Sequence, residues 1–122
     1  MLDIDMIPTT RFALVRATGD LISDDEANTL AAALAFVPDE EDLVVDLTGL
    51  HRLTARCANI VGASLLQRAP WSEVAVVSPH DDVTMHLILS EIDHAVPIVH
   101  DLRQAANIIS ARRRTDDGKV AL

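Results

Sequence analysis

The sequence predicts a single α/β domain built on a mostly parallel β-sheet. Short apolar runs rich in valine and leucine alternate along the chain with segments whose apolar residues recur at helical spacing. Strands that are buried on both faces between crossover helices have this continuous apolar character. With 122 residues, 49% of them hydrophobic, the chain has material for one core, and we expect the domain to span residues 1–111.

The chain is expected to begin with a β-hairpin. Residues 2–6 are β-prone, residues 8–10 form a turn, and a second strand over residues 12–18 is ended by Gly19. Because this hairpin precedes the alternating units, it should add a strand at or near one edge of the sheet.

A capping box predicts the start of the first helix. Ser23 and Glu26 stand three residues apart, so each side chain can accept a hydrogen bond from the other residue's backbone N–H. Acidic residues in this first turn also suit the helix dipole. The helical spacing is carried by Ala27, Leu30, Ala31 and Leu34, and Pro38 ends it.

The remaining elements complete the order β-β-α-β-α-β-α-β-α, with about four helices. Three further strands are expected at residues 42–47, 73–77 and 97–99. Three further helices are expected from the cap Thr54 to Pro70, from Asp81 or Asp82 to about Ile92, and over residues 102–109. Residues 112–122 have no apolar period, so we expect a flexible tail that the fold does not need.

The charge of the chain argues against nucleic acid and membrane surfaces as partners. The formal net charge is −9, and residues 1–111 alone hold 6 basic and 17 acidic side chains. Such a body repels phosphate backbones and anionic lipid. No apolar run approaches the roughly 18 residues of a membrane helix, and the single cysteine, Cys57, fits a reducing compartment. We therefore expect a cytoplasmic protein without direct membrane insertion.

No motif predicts catalysis, a cofactor or a metal site. The five histidines lack metal-ligand spacing on one predicted helix, and the four glycines form no phosphate-binding loop. Cys57 is expected to be a small helix residue, Asp46 to cap a turn at a strand end, and residues 39–42 to form a solvated acidic loop. His80 and His100 follow predicted strands, where ligands of α/β sheets gather. We expect no enzyme, no cofactor and no metal.

Residues 46–58 (Asp-Leu-Thr-Gly-Leu-His-Arg-Leu-Thr-Ala-Arg-Cys-Ala) resemble the central pattern of the STAS family, D-L-S-G-V-x-x-(I/M/L)-D-S-S-G-L. This family comprises the domains shared by anti-sigma factor antagonists and sulfate transporters. Residues 19–21 resemble its G-E-L-D turn before the first helix, and residues 76–79 resemble the strand end before its third helix. The element order agrees over residues 1–111, so the resemblance implies a STAS-like fold.

The resemblance also implies a degenerate phosphoacceptor. Family antagonists carry a phosphorylated Ser or Thr directly after the Asp of the pattern, and this position is Ala55 here. Thr54 replaces the Asp, Arg56 the second Ser, and Cys57 the Gly. The substitute acceptors are Thr54, one residue away, and Thr48 in the preceding turn. Phosphorylation of Thr54 is not favoured, because a hydroxyl that caps a helix is tied to backbone amides.

The function implied by the resemblance is that of a non-enzymatic regulator that binds a protein partner, such as an anti-sigma factor or kinase. The expected partner-binding residues are Thr48, Gly49, Thr54, Ala55, Arg56 and Asn59. A helix N-terminus offers backbone amides and partial positive charge, and Arg56 adds a bidentate donor for a partner carboxylate.

Three alternatives stay open beside this function. The domain is an accessory subunit of a membrane transport system, or it binds a nucleotide or small anion at the strand ends, or it only oligomerises, for instance as a homodimer. Identifying the co-purifying partner separates the first alternative from an antagonist. A thermal-shift screen tests the second, because a ligand at 100 times its Kd stabilises by about 2.7 kcal/mol.

Overall fold

The structure, a computed structural model, describes residues 2–68, 72–78 and 96–120, with side chains as far as Arg112. This part of the chain has the expected α/β architecture. Its elements, in chain order, are β1 (Leu2–Pro8), β2 (Ala13–Leu21), α1 (Asp24–Phe36), β3 (Leu43–Leu53), α2 (Ala55–Arg68), β4 (Val74–Val77), β5 (Ile98–Val99) and α3 (Leu102–Val120).

The five strands form one sheet in the order β1-β2-β3-β4-β5. β1 runs antiparallel to β2, with Leu2 opposite Gly19 and Pro8 opposite Ala13. The pairs β2–β3, β3–β4 and β4–β5 are parallel. The predictions of a mostly parallel sheet and of a leading hairpin at one edge are therefore confirmed.

Three strands are longer than the sequence suggested, and β1 continues through Met6 to Pro8. β2 continues through Gly19 to Leu21, and β3 continues beyond Leu47 to Leu53, so the predicted strand ends at Gly19 and Leu47 were wrong. The β2–β3 register shifts twice, and β3 contributes an extra residue each time. Gly19 has φ 101°, a left-handed conformation that glycine adopts without strain. These bulges let pairing continue where the local sequence signals a stop.

Helices cover both faces of the sheet. The larger core cluster joins α1 and α2 to one face, through residues such as Leu30, Val45 and Leu65. The smaller cluster packs α3 against the other face, through Val44, Ala105 and Ile109 among others. Neighbouring residues of one strand belong to different clusters, as expected for a strand buried on both faces.

The last helix continues beyond the predicted domain boundary. α3 passes Ala111 and ends at Val120, and the guanidinium of Arg112 lies 3.5 Å from the carboxylate of Glu73. That the fold does not need residues 112–122 stays a prediction. The helix predicted over residues 81–92 lies outside the described residues. Among the described helices, none has the length and apolar character that crossing a bilayer requires.

Candidate functional site

The candidate site lies where β2 and β3 end and α1 and α2 begin. Leu21 and Leu53 pair at the ends of the two strands, and the N–H of Thr54 donates to the Leu21 carbonyl at 3.2 Å. The Cys57 thiol, which is buried, donates to the Ser23 carbonyl at 3.3 Å. These bonds hold the first turns of the two helices side by side.

Thr54 caps α2, as predicted. Its Oγ1 accepts the N–H of Cys57 at 3.2 Å, and its carbonyl accepts the N–H of Ala58 at 3.0 Å. The first turn of α2 contains no acidic residue. Cys57 is a buried helix residue, as expected, and its sulfur is part of the junction between the helices.

Three of the predicted partner-binding residues are exposed at the start of α2, namely Ala55, Arg56 and Asn59. The guanidinium of Arg56, however, already has a hydrogen-bond partner. Its Nε and Nη2 donate to the two carboxylate oxygens of Asp24 at 2.7 and 2.8 Å. We expected the Arg56 guanidinium to be available for a partner carboxylate. This expectation was wrong for the described structure, because Asp24 of α1 already accepts both hydrogen bonds.

A second ion pair lies beside the first. Arg52, at the end of β3, donates to Asp20 at 3.1 Å. This hydrogen bond lowers the pKa of the Asp20 carboxyl, and Asp20 in turn raises the pKa of Arg52. Both pairs join residues 32 positions apart, because the second strand–helix unit follows the first in parallel. The surface around the α2 N-terminus is thus crossed by two acid–base pairs.

Thr48 and Gly49 lie within β3, and not in a loop as the sequence suggested. Asp46 holds this segment. Its carboxylate accepts Arg16 Nε and the Thr48 N–H, both at 3.0 Å, and the residue is 4% exposed. Asp46 therefore caps a local turn as expected, although the turn is a bulge and the strand continues. A Cβ on Gly49 would lie 2.5 Å from Thr18 Cγ2, so the close approach of β2 requires glycine.

The N-terminus of α1 carries the complete capping box that was predicted. Ser23 Oγ accepts the Glu26 N–H at 3.2 Å, and Glu26 Oε1 accepts the N–H groups of Ile22 and Ser23. The hydrogen bond from Ile22, with those from Ser23, lowers the pKa of the Glu26 carboxyl. The first turn of α1 is thus supplied with acceptors by its own residues.

Arg68 was not singled out in the sequence, and it organises the opposite ends of α1 and α2. Its guanidinium is buried and donates to four backbone carbonyls, those of Leu34, Val37, Pro38 and Glu41. Burial lowers the pKa of this guanidinium. The acidic loop at residues 39–42 is therefore not simply solvated, and Asp42, 6% exposed, accepts the N–H of Glu73.

The histidines show no site in the described residues. His51 and His100 are exposed, whereas His80, like His86 and His94, lies outside these residues. Across residues 2–68, 72–78 and 96–120, no three histidine, cysteine or acidic side chains come close enough together to hold a metal ion.

Comparison with solved structures identifies the fold. An anti-sigma factor antagonist from Mycobacterium paratuberculosis superposes with a TM-score of 0.80 and 20% identity, over 90% of this chain and 95% of that one. The antagonist SpoIIAA in its unphosphorylated form gives a TM-score of 0.64 at 11% identity, over 89% and 97% of the two chains.

An uncharacterised protein with a SpoIIAA-like fold from Shewanella loihica gives a TM-score of 0.54 at 16% identity, over 88% and 93% of the two chains. No family model matches the sequence, and no curated protein does. The STAS-like fold is therefore confirmed by structure and not by sequence similarity.

Proposed function

We propose, from the fold that this chain shares with anti-sigma factor antagonists, that it is a non-enzymatic regulator that binds a protein partner in the cytoplasm. The observation that carries the proposal is the superposition on such an antagonist over 90% of this chain. The α2 surface, defined as Thr54, Ala55, Arg56 and Asn59, is the proposed contact. Thr48 and Gly49, which lie within β3, are included in the proposed contact as residues that position this surface.

The α2 surface suits an acidic group of a partner. The first amides of a helix have no acceptor within the helix, and the dipole gives this end partial positive charge. Since the first turn of α2 carries no acid of its own, a partner can supply one. The pairing of Arg56 with Asp24 means that a partner carboxylate reaching Arg56 takes the place of Asp24.

The position of the family phosphoacceptor offers no hydroxyl. Ala55 is exposed on the α2 surface, where phosphate would add a charge of about −1.5 to −2 and release a partner. Thr54 is half-buried, and its hydroxyl oxygen accepts the Cys57 N–H. We infer that the protein stays competent for binding, with control exerted through its abundance or through its partner.

The decisive experiment identifies the partner and then restores the acceptor. The chain is used to capture proteins from its native extract with and without ATP, and the captured partner is purified. Ala55→Ser is then incubated with this partner and ATP and analysed by intact mass. Ala63→Ser, an exposed alanine on the same helix, is the matched control. We expect phosphate on Ala55→Ser alone.

Binding measurements complete this test. Ala55→Glu should weaken the complex by about tenfold or more, whereas Ala63→Glu should leave it unchanged. A wild-type chain that gains phosphate at Thr54 and then releases its partner would instead be an ordinary phosphoregulated antagonist. Capture of a membrane-transport component as the partner would overturn the antagonist function in favour of the accessory subunit.

A further inference from the structure

A second surface lies at the end of the sheet opposite the α2 surface. Five large hydrophobic side chains are exposed in the described part of the chain, and three of these residues line one cavity: Phe36 at 83%, Met6 at 47% and Ile7 at 37%. Because side chains alternate along a strand, Met6 and Ile7 approach this cavity from opposite faces of β1. Together with Pro8 we call these three residues the Phe36 patch. Single exposed apolar residues need no explanation, but a cluster of them marks an interaction site.

The patch surrounds a shallow cavity of about 190 Å³. The end of β1 forms one wall and the end of α1 forms the other, with Val37 and Pro38 continuing the lining. β1 pairs with the beginning of β2 at this point, since Pro8 lies opposite Ala13. The cavity is therefore at the amino ends of the parallel strands, whereas the α2 surface is at their carboxyl ends.

The rim of the patch is acidic. The loop that follows α1 exposes Asp39, Glu40 and Glu41. Glu41 lines the cavity, whereas Asp39, whose side chain is 75% exposed, lies 3.7 Å from the guanidinium of Arg68. Asp5 is also exposed on β1, although its side chain is on the face of the strand opposite Met6. The nearest base in the β1–β2 turn, Arg11, donates to Ser110 Oγ at 3.4 Å. A segment bound in the cavity therefore has negatively charged side chains next to it where it extends beyond the cavity.

The charge also argues against a second copy of this chain as the occupant. Each copy carries a formal net charge of −9, so two acidic rims would repel one another. β1 is an edge strand of the described sheet, and antiparallel pairing of two copies around Asp5 would place the two Asp5 carboxylates opposite each other. Acidic residues and a proline on an edge strand are the usual protection against such pairing.

We infer that the Phe36 patch is a second docking surface, for a protein segment that presents a large apolar side chain between lysines or arginines. The apolar side chain enters the cavity beside Phe36, and the flanking bases pair with the loop at residues 39–41. Electrostatic complementarity of this kind selects partners and speeds their association. Because the two surfaces lie at opposite ends of the sheet, one molecule can hold two partners at once.

A random peptide library displayed on phage tests the chemistry of the occupant directly. The library is selected against the whole wild-type chain and depleted on Phe36→Ser, a substitution at an exposed position. We expect the enriched peptides to share a large apolar residue flanked by Lys or Arg. Enrichment of acidic peptides, or no enrichment over Phe36→Ser, would overturn the inference.

A synthetic peptide of the enriched sequence is then titrated into the wild type and three variants. Phe36→Ser should weaken its binding by about tenfold, and Glu40→Lys should weaken it with a reduced dependence on salt. Leu66→Ser is the matched control, because Leu66 is 39% exposed on α2, and it should bind like the wild type. Amide chemical-shift changes centred on residues 54–59 and not on residues 6–8 and 36–41 would place the peptide on the α2 surface, against the inference.

Discussion

The helices α1 and α2 begin side by side, yet their first turns are built in different ways. α1 has a reciprocal capping box and three acids, Asp24, Asp25 and Glu26. α2 has the single cap Thr54 and no acid in its first turn. Both turns are joined by the Cys57–Ser23 hydrogen bond and by the Arg56–Asp24 ion pair.

In the proposed function, this difference separates stability, to which the start of α1 contributes, from recognition, to which the start of α2 contributes. The acids of α1 complement the dipole of their own helix, so little attraction is left there for a partner's carboxylate. The first turn of α2 has no such acid, so a partner can supply the negative charge that suits the dipole of α2. The neighbouring turn of α1 fixes the position of this first turn. A binding surface gains from such rigidity, because less conformational entropy is lost on association.

The largest expected effects come from the buried stripes that anchor the two helices. Leu30 in α1 and Leu65 in α2 are 0% and 1% exposed. We expect Leu30→Ala and Leu65→Ala each to lower the free energy of unfolding by about 2–5 kcal/mol in chemical denaturation. An unchanged denaturation midpoint for Leu65→Ala would show that α2 is not anchored by this stripe.

Matched controls for these variants are on the opposite faces of the same helices. Asn28 and Asn59 are exposed, so Asn28→Ala and Asn59→Ala should change stability by less than about 0.5 kcal/mol. Asn59→Ala is then suited to binding experiments, since any loss of partner affinity reports on the α2 surface and not on folding.

The next largest effects concern the caps. Ser23→Ala and Thr54→Ala should each cost about 0.5–2 kcal/mol, because each leaves a first-turn N–H without its side-chain acceptor. Ser23→Ala should cost more, since it also removes the hydroxyl contact to Glu26. Thr54→Ser should restore most of the lost stability. Equal losses for the two alanine variants would contradict the difference between the two helix starts.

The elements and both caps could be predicted because their signals are local. Apolar period, the Ser23–Glu26 spacing and a threonine before a helix each involve a few neighbouring residues. The bulges of β3 were missed because they depend on how closely β2 approaches Gly49. The residues around Gly49 in the sequence do not predict that Thr18 is its neighbour in the fold.

The exposure of residues at the start of α2 could be predicted from the sequence, but their pairings could not. The central motif led to Ala55, Arg56 and Asn59, which are indeed exposed. The Arg56–Asp24 pair joins residues 32 positions apart, and only the parallel packing of two strand–helix units brings them together. Arg68 was missed for the same reason, because its four acceptors are backbone carbonyls near the end of α1, which no side-chain motif encodes.

A smaller effect is expected from the acid dependence of the α1 cap. Hydrogen bonds from Ile22 and Ser23 lower the pKa of Glu26, so its ionised form stabilises the fold. This stabilisation is fully present above the ordinary glutamate pKa of about 4.3 and is lost as the pH falls through the lower pKa of the folded state. Thermal denaturation should therefore show wild type and Glu26→Gln converging in acid.

The control for this measurement is Glu40→Gln, which removes one exposed negative charge outside both first turns. A stability difference between wild type and Glu26→Gln that stays constant from neutral pH into acid would mean that the Glu26 carboxylate does not support the cap. The difference in cap stability between α1 and α2 would then come from Ser23 and Thr54 alone.

The smallest effect on stability, and the most informative for binding, is expected from Asp24→Asn. The Arg56 and Asp24 side chains are 76% and 50% exposed, and exposed ion pairs contribute only about 0.2–1 kcal/mol. Stability should therefore change little, while the Arg56 guanidinium loses its internal carboxylate. If Arg56 contacts an acid of the partner, Asp24→Asn strengthens the complex and Arg56→Ala weakens it. If Arg56 only connects α2 to α1, both variants weaken the complex. The control is Asp25→Asn, which removes the same charge without changing the Arg56–Asp24 pair. It therefore distinguishes an effect of this pair from an effect of net charge.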